Sequence, residues 1–345
     1  MSETPVDEST ARRRVEELQA TYGMPVACAM QETFLQRVTV GKLELFMVGL
    51  VAGTADNTSV TGAAADEHGF PVDRAFFELL ERLSIFSART GAKPLAIRDR
   101  EGRERGTRSA RQVFPSDRKS DVLRTSLSNG VALHASWPLA CEAALRELIE
   151  RDRVLRSFAG EFAPVELPAP DLDLARALRA QYEVVAYSFG PKRKRLAHVA
   201  TGMFLFPRDA AAPLAYGFGA AADVASALAS AKREALQRLA FLSGEELPVK
   251  PPEPAPTPDY HQEYYLYPGH HAILREWLAG RRKRRRVGPQ HDLLDGGALR
   301  YVDLTVEGLK GGLFVAKATS RKATVLQFGT QPARTRGSAV PHPIA

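Results

Sequence analysis

Three stretches of this chain put side chains that could do chemistry at one spacing: Glu78-Leu-Leu-Glu81-Arg82, Glu147-Leu-Ile-Glu150-Arg151 and Glu234-Ala-Leu-Gln237-Arg238. On a helix, positions i, i+3 and i+4 share a face. Each phrase therefore presents two oxygen-bearing side chains beside a guanidinium. One such phrase alone is accounted for by a solvated Glu–Arg pair, which supports a helix by about 0.2–0.5 kcal/mol. Recurrence asks for more. Brought together, the carboxylates make a hard-oxygen cluster of the kind magnesium takes while it also keeps waters and substrate phosphates. That is nucleotide chemistry without a P-loop, because GxxxxGK[ST] occurs nowhere in the chain.

The elements that must position these phrases can be read from period and punctuation. Apolar spacing predicts helices over 9–22, 75–88, 138–158 and 223–242, the second, third and fourth of which carry the phrases. Strands are expected within 37–51, 183–187, 198–206, 300–304 and 312–318, and a strand and turn over 122–133 around Asn129-Gly130. Residues 164–170 read as a break. Tyr216-Gly-Phe-Gly219 reads as a glycine turn leading into the Ala-rich helix. Residues 248–258 (PVKPPEPAPTP) read as a stiff extended connector, and 274–286 as a helix that becomes a basic run. The expected class is α+β, with mixed sheets flanked by helices and a Pro-bearing tail. The expected organisation is an N-terminal helix and strand segment over 1–50, followed by one domain over 51–345.

Composition excludes several classes. The 345 residues are 44% hydrophobic and 25% charged, enough for a sizeable core. Cys28 and Cys141 are too few for a disulfide framework and form no CxxC zinc motif. The N-terminal stretch lacks an apolar signal region, and no run approaches the roughly 18 apolar residues of a membrane span. A cytoplasmic protein is expected. The net charge of +7 is concentrated in KRKR (192–195) and RRKRRR (281–286). Such runs suggest nucleic-acid binding as a competing class, but no nucleic-acid motif accompanies them and the acidic helices would repel a phosphate backbone. They serve equally as docking sites for an acidic peptide or a partner protein. His270-His271 reads as a turn rather than a metal pair, since adjacent residues do not converge on one point. Tyr260, Tyr264, Tyr265 and Tyr267 read as packing that fixes the connector to the core.

The segment SNGVALHASWPLACEAALRELIERD (Ser128–Asp152) resembles the central signature of the YcaO family, an Asn-Gly turn followed by a helix ending in ExxERD. FFELLER (Phe76–Arg82) resembles the family's earlier ExxER helix. GFGAAADVASALASAKREALQRL, from Gly217, resembles its later glycine turn and ExxQ helix. YVDLT at Tyr301 and the terminal PHPIA resemble its last strand and Pro-rich C-terminus. The resemblance implies an enzyme using ATP and Mg2+ to activate a peptide amide oxygen, so that a Cys, Ser or Thr side chain closes an azoline ring in a ribosomally made precursor. It implies Glu81, Glu147, Glu150 and Glu234 as magnesium ligands and Glu78, Arg82, Asn129, Arg151, Gln237 and Arg238 around ATP. It places Pro341, Pro343 and Ala345 at the catalytic end of the tail. Its implied partners are a precursor peptide, a separate leader-peptide-binding protein and, for azole products, a flavin dehydrogenase.

Some positions depart from that pattern. Arg74 stands where many members have serine, and Leu139 where a metal-binding glutamate is usual, with Ala143 four residues on. Leu239 stands where an arginine is common, beside Arg238, and Ala345 replaces a terminal proline. Glu142 is the nearest acid to the lost metal position. These departures carry a second reading, a catalytically degenerate scaffold subunit of a peptide-modifying synthetase.

Overall fold

The computed structural model describes residues 7–115, 123–168, 171–190, 198–281, 299–330 and 340–345. In chain order they form α1 (Glu8–Tyr22), β1 (Ala29–Val40), β2 (Leu43–Gly53), β3 (Ser59–Asp66), α2 (Val72–Thr90), β4 (Leu95–Arg98), β5 (Glu104–Arg108), α3 (Ala110–Val113), β6 (Leu123–Thr125) and β7 (Val131–His134). The long helix α4 (Trp137–Phe158) follows, then β8 (Val165–Glu166), α5 (Leu172–Leu178), β9 (Tyr182–Phe189), β10 (Val199–Pro207), β11 (Ala215–Ala221) and α6 (Val224–Leu242). The chain closes with α7 (Pro258–Leu266), α8 (His271–Leu278), β12 (Leu299–Asp303), β13 (Phe314–Ser320) and β14 (Gln327–Gly329). The expected α+β class is what the chain adopts.

These elements sort into two compact units, each assembled from three stretches: residues 1–114, 130–148 and 296–321 in the first, and 115–129, 149–295 and 322–345 in the second. The helix α4 gives its residues up to 148 to the first unit and the rest to the second. Residue 50 lies inside β2, and the sheet of β1, β2 and β3 joins the chain on either side of it.

In the first unit an antiparallel meander, β1-β2-β3, packs against α2, and a second sheet has the order β5-β4-β12-β13-β7. Phe46, Val48, Leu50 and Ala52 of β2 point with period two toward Phe76, Leu79, Leu80 and Leu83 of α2 to form its core. Asp7 caps α1, its carboxylate accepting the Thr10 N–H at 2.8 Å.

In the second unit β11-β10-β9-β8 form an antiparallel sheet, and β14 pairs with β6. Its core is aromatic: Phe189 stacks on Trp277 at 5.2 Å, and Phe204 on Tyr216 at 5.8 Å. Tyr216-Gly-Phe-Gly219 lies in strand β11, not in a turn. The glycines are there for close approach, because a Cβ on Gly217 would sit 2.5 Å from the Ala231 carbonyl oxygen of α6. Pro258, expected as the connector's last residue, instead opens α7, where Thr257 caps the Tyr260 N–H at 3.2 Å. The KRKR run lies outside the described residues, as does RRKRRR apart from Arg281. Among the described residues no helix is long and apolar enough to cross a membrane.

Candidate functional site

In the first unit the ExxER phrase is held against β3 by a glycine. A Cβ on Gly62 would come within 2.5 Å of the Leu79 backbone nitrogen, so only glycine lets α2 lie this close to the strand. The closeness lets a side chain of α2 reach the strand's backbone. Ala63 N–H donates to Glu78 Oε2 at 3.0 Å, Arg82 pairs with Glu78 Oε1 at 2.6 Å, and Arg82 also donates to the Thr61 carbonyl at 2.9 Å. Glu78 is thus fixed at both oxygens. One turn on, Glu81 Oε2 accepts the Leu133 N–H of β7 at 3.1 Å. Burial pushes Glu81 up to about 8, and the neighbouring charges of Glu147 and then Glu78 add to it. The three acids therefore form one electrostatic group. Arg74 is fastened to the end of β3, donating to the Ala65 carbonyl at 2.6 Å and to Asp66 at 2.8 Å.

The same unit holds the first half of α4. Asn129, which belongs to the second unit, is half-buried and directly precedes Gly130, whose φ of +70° is a left-handed conformation. The Gly130 carbonyl accepts the Ala318 N–H at 2.7 Å, which anchors the turn to β13. Leu139 is 50% exposed. Glu142 does not substitute freely for the acid missing there, because it pairs with Arg100 at 2.8 Å.

In the second unit the ExxERD ending is structural as well as polar. The buried Asp152 accepts the Thr324 N–H and hydroxyl, each at 2.8 Å, and the buried Arg153 donates to the His198 carbonyl. Glu150 and Arg151 are half-buried on the adjoining face. The helix α6 lies on β11 through Gly217 and Gly219, and Phe218 N–H donates to Glu234 Oε2 at 2.7 Å. Four residues on, the Arg238 guanidinium sits over the face of Tyr216, 4.1 Å from its centroid. Gln237 is half-buried beside them, and Leu239 turns into the core.

The Pro-bearing tail is packed into the second unit. Pro341, Pro343 and Ile344 are buried while Ala345 is exposed. Tyr265 donates its hydroxyl to the Pro341 carbonyl, and Tyr265 packs edge-on against Tyr216 at 6.3 Å. Two histidines complete the seat. Gly329 N–H donates to His261 Nε2 at 2.9 Å, which leaves His261 Nδ1–H to donate to the His342 carbonyl at 3.0 Å, and His342 Nε2 bonds the Gln327 carbonyl at 2.8 Å. Burial and then the neighbouring His261 hold His342 down to about 3, so both rings are neutral.

Sequence reasoning missed Tyr216, Tyr265, His261 and His342. Tyr216 is the counterpart of Thr61 in the first unit: each stands two residues before the N–H that binds the phrase's leading glutamate, and each receives the phrase's arginine. His270, by contrast, stacks on Tyr264 with ring centroids 3.9 Å apart, and Tyr260 and Tyr265 are buried, as the packing reading expected.

The donors suit the group that nucleotide chemistry requires. Crowded carboxylates with a raised proton affinity are relieved by a divalent cation. Among the described residues no three His, Cys, Asp or Glu side chains form a set that could hold a metal ion.

The YcaO family model, described as "YcaO cyclodehydratase, ATP-ad Mg2+-binding", matches residues 107–296. That is more than half of the 345-residue chain, and the chain belongs to the YcaO family. ATP and Mg2+ are the cofactors by which that family is described. The fold agrees. A structure of YcaO from Methanopyrus kandleri bound with AMPPCP and Mg2+ aligns with TM-score 0.62 and 19% identity, over 96% of each chain. A heterocyclase in complex with substrate and cofactor aligns with TM-score 0.58 and 13% identity over 91% of this chain and 52% of its own, so the chain spans about half of that protein. The E. coli microcin synthetase McbBCD complex aligns with TM-score 0.52 and 12% identity, over 84% of this chain and 87% of its own. At these identities the likeness is one of fold. No curated protein matches the chain.

Proposed function

We propose that the chain is an ATP-dependent peptide cyclodehydratase, which activates a backbone amide of a ribosomally made precursor and leaves an azoline. The observation that carries this reading is the acid group on α2 and α4, where Glu81 is half-buried beside Glu78 and Glu147 and held by the Leu133 N–H. In this reading Glu81 and Glu147, in the first unit, would be magnesium ligands, and so would Glu150 and Glu234, in the second. Glu78, Arg82, Asn129, Arg151, Gln237 and Arg238 border the nucleotide. ATP supplies the phosphoryl group that makes an amide oxygen a leaving group. The chain's own part is positional: the backbone N–H groups of Ala63, Leu133 and Phe218 fix the carboxyl groups of Glu78, Glu81 and Glu234, so those oxygens need little reorganisation. Pro341, Pro343 and Ala345 bring the chain end toward the reacting amide.

The fold relatives support a peptide substrate and partner subunits: one microcin synthetase McbBCD structure has pro-MccB17 bound. In this reading the partners are a precursor peptide, a leader-peptide-binding protein and, for azoles, a flavin dehydrogenase. The cytoplasm is where such a precursor is made. A second reading, a scaffold subunit without turnover, is favoured by Leu139 and by the Glu142–Arg100 pair.

Thermal unfolding with magnesium, ATP and both together separates the two. An active site gives a shift only with both, about 2.7 kcal/mol at 100 times the dissociation constant, and Glu81→Gln or Glu234→Gln removes it. No shift at millimolar ATP, with or without partner subunits, leaves the scaffold reading standing.

A further inference from the structure

The second unit joins its nucleotide-side arginine to its C-terminal tail through two tyrosines. Arg238 lies 4.1 Å over the Tyr216 ring, Tyr216 meets Tyr265 edge-on at 6.3 Å, and the Tyr265 hydroxyl donates to the Pro341 carbonyl. Both tyrosines are 1% exposed. Such a column does not slide: ring contacts in a packed interior have a few discrete arrangements rather than a continuum.

We propose that Tyr216 and Tyr265 are positioning residues that couple docking of the C-terminal tail to the placement of Arg238, so that each favours the other. The inference rests on the reading of Arg238 as a nucleotide-side group, and it deepens that reading. Its physical content is a coupling between two ends of one column, and such coupling is reciprocal. Undocking the tail frees Tyr265, which loosens the packing against Tyr216 and with it the face on which the guanidinium rests. Displacing the guanidinium weakens the column from the other end. The Arg238 guanidinium bears on the buried Tyr216 hydroxyl as well as on its ring face, so the whole phenol carries the link. Tyr216→Leu, which removes both ring and hydroxyl, should therefore break the link.

Two measurements on the full chain test this. The first needs no nucleotide: hydrogen exchange of the peptide carrying residues 340–345. Arg238→Lys keeps the charge and gives up the planar stack. It and Tyr216→Leu should each speed exchange in that peptide about threefold or more. Unchanged tail exchange in Arg238→Lys overturns the proposal, whatever the protein does with ATP. The second reads the other direction, by titration with a non-hydrolysable ATP analogue and magnesium. Tyr265→Phe, which removes the hydroxyl that bonds Pro341, should weaken the analogue about threefold, and should add nothing in the Arg238→Lys background. Additive losses, or a Tyr265→Phe variant with a released tail and parental affinity, overturn it as well. A parent chain that binds no analogue while Arg238→Lys still releases the tail would sink the proposed function and leave the coupling standing. Global unfolding of each variant separates tail release from loss of the fold.

Discussion

The strand–helix pairs β3–α2 and β11–α6 are built alike and furnished differently. In both, a glycine lets the helix lie on the strand, the next residue's N–H holds the leading glutamate of the phrase, and the phrase's arginine returns to the residue two places earlier. Then they diverge. The first has a second acid, Glu81, whose proton affinity burial and the charge of Glu147 raise, and its Arg82 is engaged by Glu78 and a carbonyl. The second has Gln237 instead, and its Arg238 rests on an aromatic ring that leads to the tail. The same strand–helix packing therefore carries a charge-dense acid group in the first unit and an aromatic contact in the second. The shared part is steric and the divergent part is electrostatic.

The sharpest way to break the comparison is at the glycines. Gly62→Ala and Gly217→Ala each drive a Cβ into helix backbone that cannot rotate away, so each should cost about 3 kcal/mol or more, read as lost or strongly lowered thermal unfolding. A cost below about 1 kcal/mol at either site would mean the two pairs are not packed alike.

A moderate effect comes from pH, with opposite signs in the two units. Glu81 sits at about 8 in the fold against an ordinary value of 4.5, so the folded state binds the extra proton in that window and stability is lost as pH rises through it. His342 sits at about 3 against an ordinary 6.5, so the folded state lacks the proton there and stability is lost as pH falls below about 6.5. Each slope is bounded by about 1.4 kcal/mol per pH unit, and partial solvent access lowers it for Glu81. In chelator, exchange protection corrected for intrinsic rates should rise around α2 and fall around the tail between pH 8 and pH 5. Glu81→Gln should flatten the first trend and His342→Gln the second. Trends of the same sign would refute the contrast.

The smallest effect should come from Arg82→Lys. Arg82 is 49% exposed, and its pair with Glu78 is an ordinary surface i,i+4 interaction worth about 0.5 kcal/mol. A loss above about 2 kcal/mol in the unliganded protein would mean that Arg82 does structural work that its exposure conceals.

The sequence by itself determined the class of elements, the three phrase-bearing helices and the family, because these depend on local period and on residue types at fixed spacing. The helices over 75–88, 138–158 and 223–242 recur as α2, α4 and α6 within a few residues. Tertiary structure alone decided what the glycines and the tail are for. Gly217 and Gly219 read as a turn because glycine permits one, and only the helix lying across β11 shows that their missing side chains are the point. Likewise nothing local to PHPIA announces His261, 81 residues distant in sequence, or Tyr265, 76 distant, as its partners. Hydrogen bonds and ring contacts between remote segments leave no periodic trace in either one. They exist only once the chain has brought the segments together.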